Sequence, residues 1–220
     1  MKGGELLRAG EKSKFFFYAI MGLWICLAIG ISVDLSAQEP DTAKEKSMKA
    51  EYATPPFSAG VIRDATGVGQ TYVFRLSGGG QPPILRKTVF LEVTAVDTKI
   101  QTVLTDTDGK PFDGPKEWRF TWEQLEEHAH FPAQQTERTE KKVTVPTGTY
   151  DCWHFVVIET VDGKKKVSEY AFAKHLPGPP IWMSVTIDGE LQTNMELIQY
   201  IAGEKATDKS NPKPTLKLVP

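Results

Sequence analysis

Four side chains have the chemistry to hold a soft or borderline metal: His128, His130, Cys152 and His154. Cys152 and His154 stand two apart in a segment that alternates like a strand, so both project from the same face. A Cys-x-His strand opposite a His-x-His segment offers the tetrahedral nitrogen and sulfur set that zinc or copper accepts. The competing reading is structural. If Trp122–His130 is a helix, His128 and His130 lie about 200° apart around it, because each residue advances about 100°. They then cannot both face one ion, and a lone cysteine among Tyr150, Val156 and Ile158 serves as a small buried apolar group.

Covalent and acid–base chemistry have less to work with. Ser36, Ser58, Ser77, Ser168 and Ser184 are not set in a Gly-x-Ser-x-Gly elbow. Strand neighbours two apart stand about 6.6 Å from each other, too far for His154 to activate the Cys152 thiol directly. Carboxylate pairs such as Glu126-Glu127, or Glu137 with Glu140, read as solvated charge unless a pocket raises one pKa. Gly78-Gly79-Gly80 runs into Gln81-Pro82-Pro83, not into a helix N-terminus, so it is a strand connection and not a phosphate cradle. Lys164-Lys165-Lys166 sits at a hairpin tip, where charge keeps an edge solvated.

Aromatic side chains are the other lead. Trp118, Phe120, Trp122, Trp153, Phe155, Tyr170, Phe172 and Trp182 are a heavy load for one domain, and most must be core. A sheet with a helix over it can still leave an apolar groove for a lipid or a peptide. Trp122, Trp153, Phe155 and Trp182 are the side chains expected to line it, with His175-Leu176-Pro177-Gly178-Pro179-Pro180 as a stiff crossover at its rim.

The elements that must position these groups are mostly strands. Thr88 to Asp97 alternates, which puts Val89, Leu91, Val93 and Ala95 on one face, and Ile181 to Ile187 does the same. Asp-Gly recurs at residues 108, 113, 162 and 188, and Asp-Gly between alternating runs is a strong hairpin signal. Two hairpins follow: Thr149–Thr160 with Lys165–Lys174, and Ile181–Ile187 with Glu190–Ile201. Further runs at Gln70–Leu76, Arg86–Asp97 and Lys99–Thr105 extend the count. Thr121 and Gln124 form a capping box that opens a short helix at Trp122–His130, ended by Pro132. The expected fold is mainly β, an antiparallel meandering sheet or half-barrel with one short covering helix.

Nineteen uncharged residues, Phe15 to Val33, precede this domain and follow a segment carrying Lys2, Arg8, Lys12 and Lys14. Their number falls between a signal peptide's apolar core and the roughly 20 residues of a membrane span. Residues 1–37 therefore read as a signal peptide, cleaved after Ala37, or as an N-terminal membrane anchor through residues 15–33. Residues 38–59 read as a polar tether, 60–202 as the β-rich domain and 203–220 as a disordered tail. The positive flank stays in the cytoplasm, so the domain lies outside it, periplasmic or extracellular.

Formal charge is −2 from 26 basic and 28 acidic residues, which gives no electrostatic reason to expect nucleic acid. Only Cys26 and Cys152 exist, and Cys26 lies in the apolar run, so the exported part has no internal disulfide and rests on its core.

Val143-Thr144-Val145-Pro146-Thr147-Gly148-Thr149-Tyr150-Asp151-Cys152 resembles the strand opening of a group of exported bacterial β-sheet domains of unknown function. Tyr170-Ala171-Phe172-Ala173-Lys174-His175-Leu176-Pro177-Gly178 is similar to their later strand and Pro-Gly crossover. The resemblance covers about Lys142 to Ala202 and rests on turn chemistry. It implies an envelope-located antiparallel sheet of the half-barrel kind that carries lipids, and no established activity. Thr121–Pro132 and the absence of a lipid-attachment cysteine depart from the lipoproteins of that kind. Together these readings favour a non-enzymatic envelope protein that binds a hydrophobic ligand or an envelope partner. The alternatives are a metal-binding protein using the Cys/His cluster and a structural accessory domain of an envelope complex.

Overall fold

The computed structural model describes residues 51–205. All of them belong to the compact unit Lys44–Pro220. The expected signal or anchor and most of the expected tether and tail lie outside the described residues.

Nine strands form one open antiparallel sheet. In chain order they are β1 (Thr71–Gly78), β2 (Gln81–Val93), β3 (Asp97–Thr105), β4 (Lys116–Thr121), β5 (Thr136–Val145), β6 (Gly148–Val161), β7 (Lys164–Ala173), β8 (Trp182–Ile187) and β9 (Glu190–Ile201). Their spatial order is β4-β3-β2-β1-β9-β8-β7-β6-β5. Two meanders thus meet where β9 returns to pair with β1, and β4 and β5 are the outer edges. Two short helices, α1 (Ala59–Ala65) and α2 (Trp122–Glu127), precede β1 and link the edges. The expected mainly β meander is the observed fold, and among the described residues a second short helix, α1, joins the expected one.

Local chemistry explains the turns. Asp162-Gly163 and Asp188-Gly189 both hold positive φ, the type I′ pattern, and they close the two expected hairpins β6–β7 and β8–β9. Gly78, Gly79 and Gly80 are also left-handed and turn β1 into β2. At Gly78 a side chain is excluded twice over, because a Cβ would fall 2.5 Å from the Gln192 carbonyl oxygen. The capping box at Thr121 forms as read: its hydroxyl accepts the Gln124 N–H while the Gln124 side chain accepts the Thr121 N–H. The helix stops at Glu127, short of His130. Tighter bonds, Ala129 N–H to Glu126 O and His130 N–H to Glu127 O, carry the turn on.

Strand alternation then sorts the side chains into two faces. Cross-strand partners share a face, so the register runs Ile84–Leu76–Met195–Met183–Tyr170–Phe155–Arg138 across seven strands. This is the helix-bearing face. Over β6 and β7 it is covered by Phe57, Ile62 of α1, Trp122 of α2, Ala129 and Phe131. Phe131 sits in the middle, with ring centroids 4.7 Å from Tyr170 and 5.3 Å from Phe155.

Alternation in Arg86–Asp97 is broken by a bulge between Phe90 and Glu92. Phe90, not Val89 or Leu91, is the buried residue, and Val93 is shifted onto the covered cluster. The expected tether also ends earlier than residue 59. Ala53 donates its N–H to Phe131 O, Tyr52 bridges Pro132, and Phe57 is buried. At the other end, the Val68–Glu204 bridge holds the first residues of the expected tail against the start of β1.

Candidate functional site

Cys152 and His154 do share a face, but it is the one opposite the helices, since their neighbours Trp153 and Phe155 face the aromatic cluster. Cys152 is fully buried, its Sγ donates weakly to the Tyr150 carbonyl, and burial with the nearby Asp151 charge pushes its thiol up to about 11. His154 is buried too, with Nε2 3.0 Å from Oε2 of Glu169 on β7. His128 and His130 follow α2 on the helix-bearing side. His128 meets Phe120 edge-on, and His130 stacks on Tyr52 and lies 3.9 Å from Glu126. The sheet thus stands between the two halves of the expected cluster. Among the described residues no group of three or more His, Cys, Asp or Glu is arranged to hold an ion.

The four expected groove side chains divide differently. Trp122 and Phe155 come together, both nearly inaccessible, in the cluster around Phe131, and the Trp122 indole N–H donates to Thr94 O at 3.1 Å. Trp153 lies at the margin of that cluster, half-buried. Trp182 pairs with Ala171 and belongs to the opposite face. Trp122 and Phe155 thus lie under the helices, and the four side chains do not share one face.

The helix-bearing face is differently clothed over β2, β3 and β4. Here the register places Leu104 beside Arg86 and Phe74, and Trp118 beside Ile100 and Phe90. Ile84, Leu104 and Phe120 are half-buried, and Trp118 on the edge strand is 38% exposed. Phe112, 44% exposed, hangs beside them through its N–H to Leu104 O. Two cations share this strip, Lys116 at the start of β4 and Arg86. The Arg86 guanidinium lies 5.1 Å from the Phe74 ring and its Nη2 is 3.0 Å from Met195 Sδ, and burial lowers its pKa to about 10, which leaves it cationic at neutral pH.

An apolar strip of this kind binds by removing water from hydrocarbon, at roughly 25 cal/mol per Å² covered. It contains no nucleophile with an activating base. Sequence reasoning missed these residues because β4 was not recognised. Its signal was present: Lys116-Glu117-Trp118-Arg119-Phe120-Thr121 alternates, with Trp118 and Phe120 on one side.

No family model and no curated protein matches the chain. Three solved structures show partial likeness. A candidate lipoprotein from Parabacteroides distasonis aligns with 9% identity over 68% of this chain and 99% of its own, with a TM-score of 0.47. MucB aligns with 13% identity over 67% of this chain, TM-score 0.42, and the match spans only 58% of the MucB chain. A hypothetical protein from Chlamydia trachomatis aligns with 10% identity over 72% of this chain and 98% of its own, TM-score 0.39.

Proposed function

We propose that this chain is a non-enzymatic envelope protein, exported or tethered by its N-terminal apolar run, which binds a hydrophobic ligand on the helix-bearing face over β2–β4. One observation carries the reading. The helices and Phe131 cover this face chiefly over β6 and β7, reaching β2 only at Val93, whereas Ile84, Leu104, Phe120 and Trp118 keep accessible surface over β2–β4. Exposed aromatic surface of this kind is the usual signature of a binding strip. Export is supported by the nineteen-residue apolar run behind a basic flank.

The test is photolabelling of the full-length chain with a diazirine-bearing acyl probe, followed by peptide mapping. Label should concentrate in the peptides of Ile84–Leu104 and Trp118. Leu104→Asp should reduce it several-fold without altering the fold by circular dichroism. Label confined to residues 15–33, or spread evenly over the surface and indifferent to Leu104→Asp, would overturn the proposal.

A further inference from the structure

On the far edge of the same face, the apolar register ends in a charge. Arg138 of β5 pairs with Phe155, and its guanidinium lies 4.2 Å from the Trp153 ring centroid and 5.6 Å from that of Phe155. Lys174, just past β7, holds its Nζ 4.0 Å from the same indole. Two cations thus share one ring, whose π-face attracts each of them but cancels the charge of neither. Lys174 has a carboxylate, Glu140, at 2.6 Å. Arg138 has none among the described residues, and its Nε is shielded from solvent without a hydrogen-bond acceptor. One positive charge is left over at a place where the side chains are already ordered.

A guanidinium with unengaged terminal nitrogens has a forked donor geometry that matches a carboxylate or phosphate, and a neighbouring ammonium adds a second, point-like attraction. Stacking on Trp153 fixes the plane of that fork, so little side-chain freedom remains to be lost on binding. Glu140 is 64% exposed at its side chain and can swing aside or stay paired, whereas Arg138 is held between ring and strand. We infer that Arg138 and Lys174, arranged about Trp153, form a binding site for an oxyanion, a phosphate or a carboxylate on a small ligand. The site stands at the β5 edge, separate from the β2–β4 strip, and does not depend on the function proposed for that strip.

The experiment is calorimetric titration of the full-length chain, held in a neutral maltoside detergent, with inorganic phosphate, glycerol 3-phosphate and acetate. Saturable binding to one site is expected. Arg138→Gln should weaken it at least tenfold, Lys174→Gln less, and Arg138→Lys should recover part of the loss. Tighter binding of glycerol 3-phosphate identifies a lipid head group as the source, tighter binding of inorganic phosphate a free anion, and tighter binding of acetate a carboxylate ligand. A second readout is indole fluorescence, which should change on titration in the parent chain and stay flat in Trp153→Phe. This reading also decides the matter if Arg138→Gln unfolds. Heat and fluorescence traces that do not saturate in the parent chain, or that are identical in the parent and Arg138→Gln, would overturn the inference and leave Arg138 as a packing residue.

Discussion

Glu126 Oε2 accepts the backbone N–H of Ala59 at 2.6 Å, so a carboxylate carried by α2 closes the open end of α1. The first amides of a helix have no partner within it, and the dipole's positive end lies there. The seven-residue α1 has only a long bond from its own cap, Val61 N–H to Ser58 Oγ at 3.4 Å. A helix so short is marginal alone and depends on such tertiary support. Glu126→Ala should therefore cost about 1–2 kcal/mol, and Glu126→Gln about half that, in urea unfolding. Equal losses for both would mean that the carboxylate's charge contributes nothing.

Phe131 comes next, because it joins the covering segment to the sheet. It meets Tyr170, Phe155 and Phe172 within 6.5 Å between centroids. Phe131→Ala removes these contacts and leaves a cavity between helices and sheet, with an expected loss of about 3–5 kcal/mol. Val96→Ala, at a residue 69% exposed, should change stability by less than about 0.5 kcal/mol. Denaturant midpoints at unchanged slope would measure both. A small effect at Phe131 would show that the helices are held chiefly by other contacts.

What could be read from the sequence, and what could not, follows from where period two survives. β6–β9 carry apolar alternation and Asp-Gly turns, because both their registers and their turns are local. β5 was invisible because an edge strand with Thr136, Arg138 and Glu140 on its inner side shows no apolar alternation to detect. That is also why Arg138 escaped notice. Its significance lies in a stack on Trp153 from the next strand, a non-local contact. The shared face of Cys152 and His154 was legible from spacing alone. Its separation from His128 and His130 depends on which side the α2 segment lies, and that is set by tertiary packing. The bulge at Phe90–Glu92 likewise defeats any fixed period.

Cys152 gives a pH-dependent prediction. Its thiol is displaced upward from an ordinary value near 9 to about 11, by burial first and by Asp151 second. Between these values the unfolded chain has lost the proton that the folded chain keeps. The unfolded state then binds fewer protons, so stability falls as pH rises from about 9 to about 11. The contribution is whole below pH 9. Cys152→Ala should show a shallower decline across that window. Below it, at pH 8, iodoacetamide should leave the native thiol unmodified and alkylate it promptly in urea. Rapid native alkylation would place the sulfur at the surface and contradict its burial.

The two hairpin turns supply a matched pair. Asp162 and Asp188 both hold positive φ, at 52° and 50°, and both precede a glycine. Asp188 does more. Its carboxylate accepts the Lys165 N–H at 2.9 Å and its own N–H donates to Lys165 O at 2.8 Å, tying the tip of β8–β9 to the tip of β6–β7. Replacing either aspartate by glycine relieves the left-handed strain, worth about 1 kcal/mol, while loosening the unfolded chain by a similar amount. Asp162→Gly should therefore be close to neutral. Asp188→Gly should be worse by the lost side-chain bond, about 1 kcal/mol, because the glycine can supply the backbone turn but not the acceptor for Lys165. Asp188→Asn keeps both an acceptor oxygen and tolerance of positive φ, so its midpoint in thermal unfolding should stay near the parent's. If Asp188→Gly and Asp162→Gly shift that midpoint equally, the tie between the two tips carries no stability and the hairpins are independent at that end of the sheet.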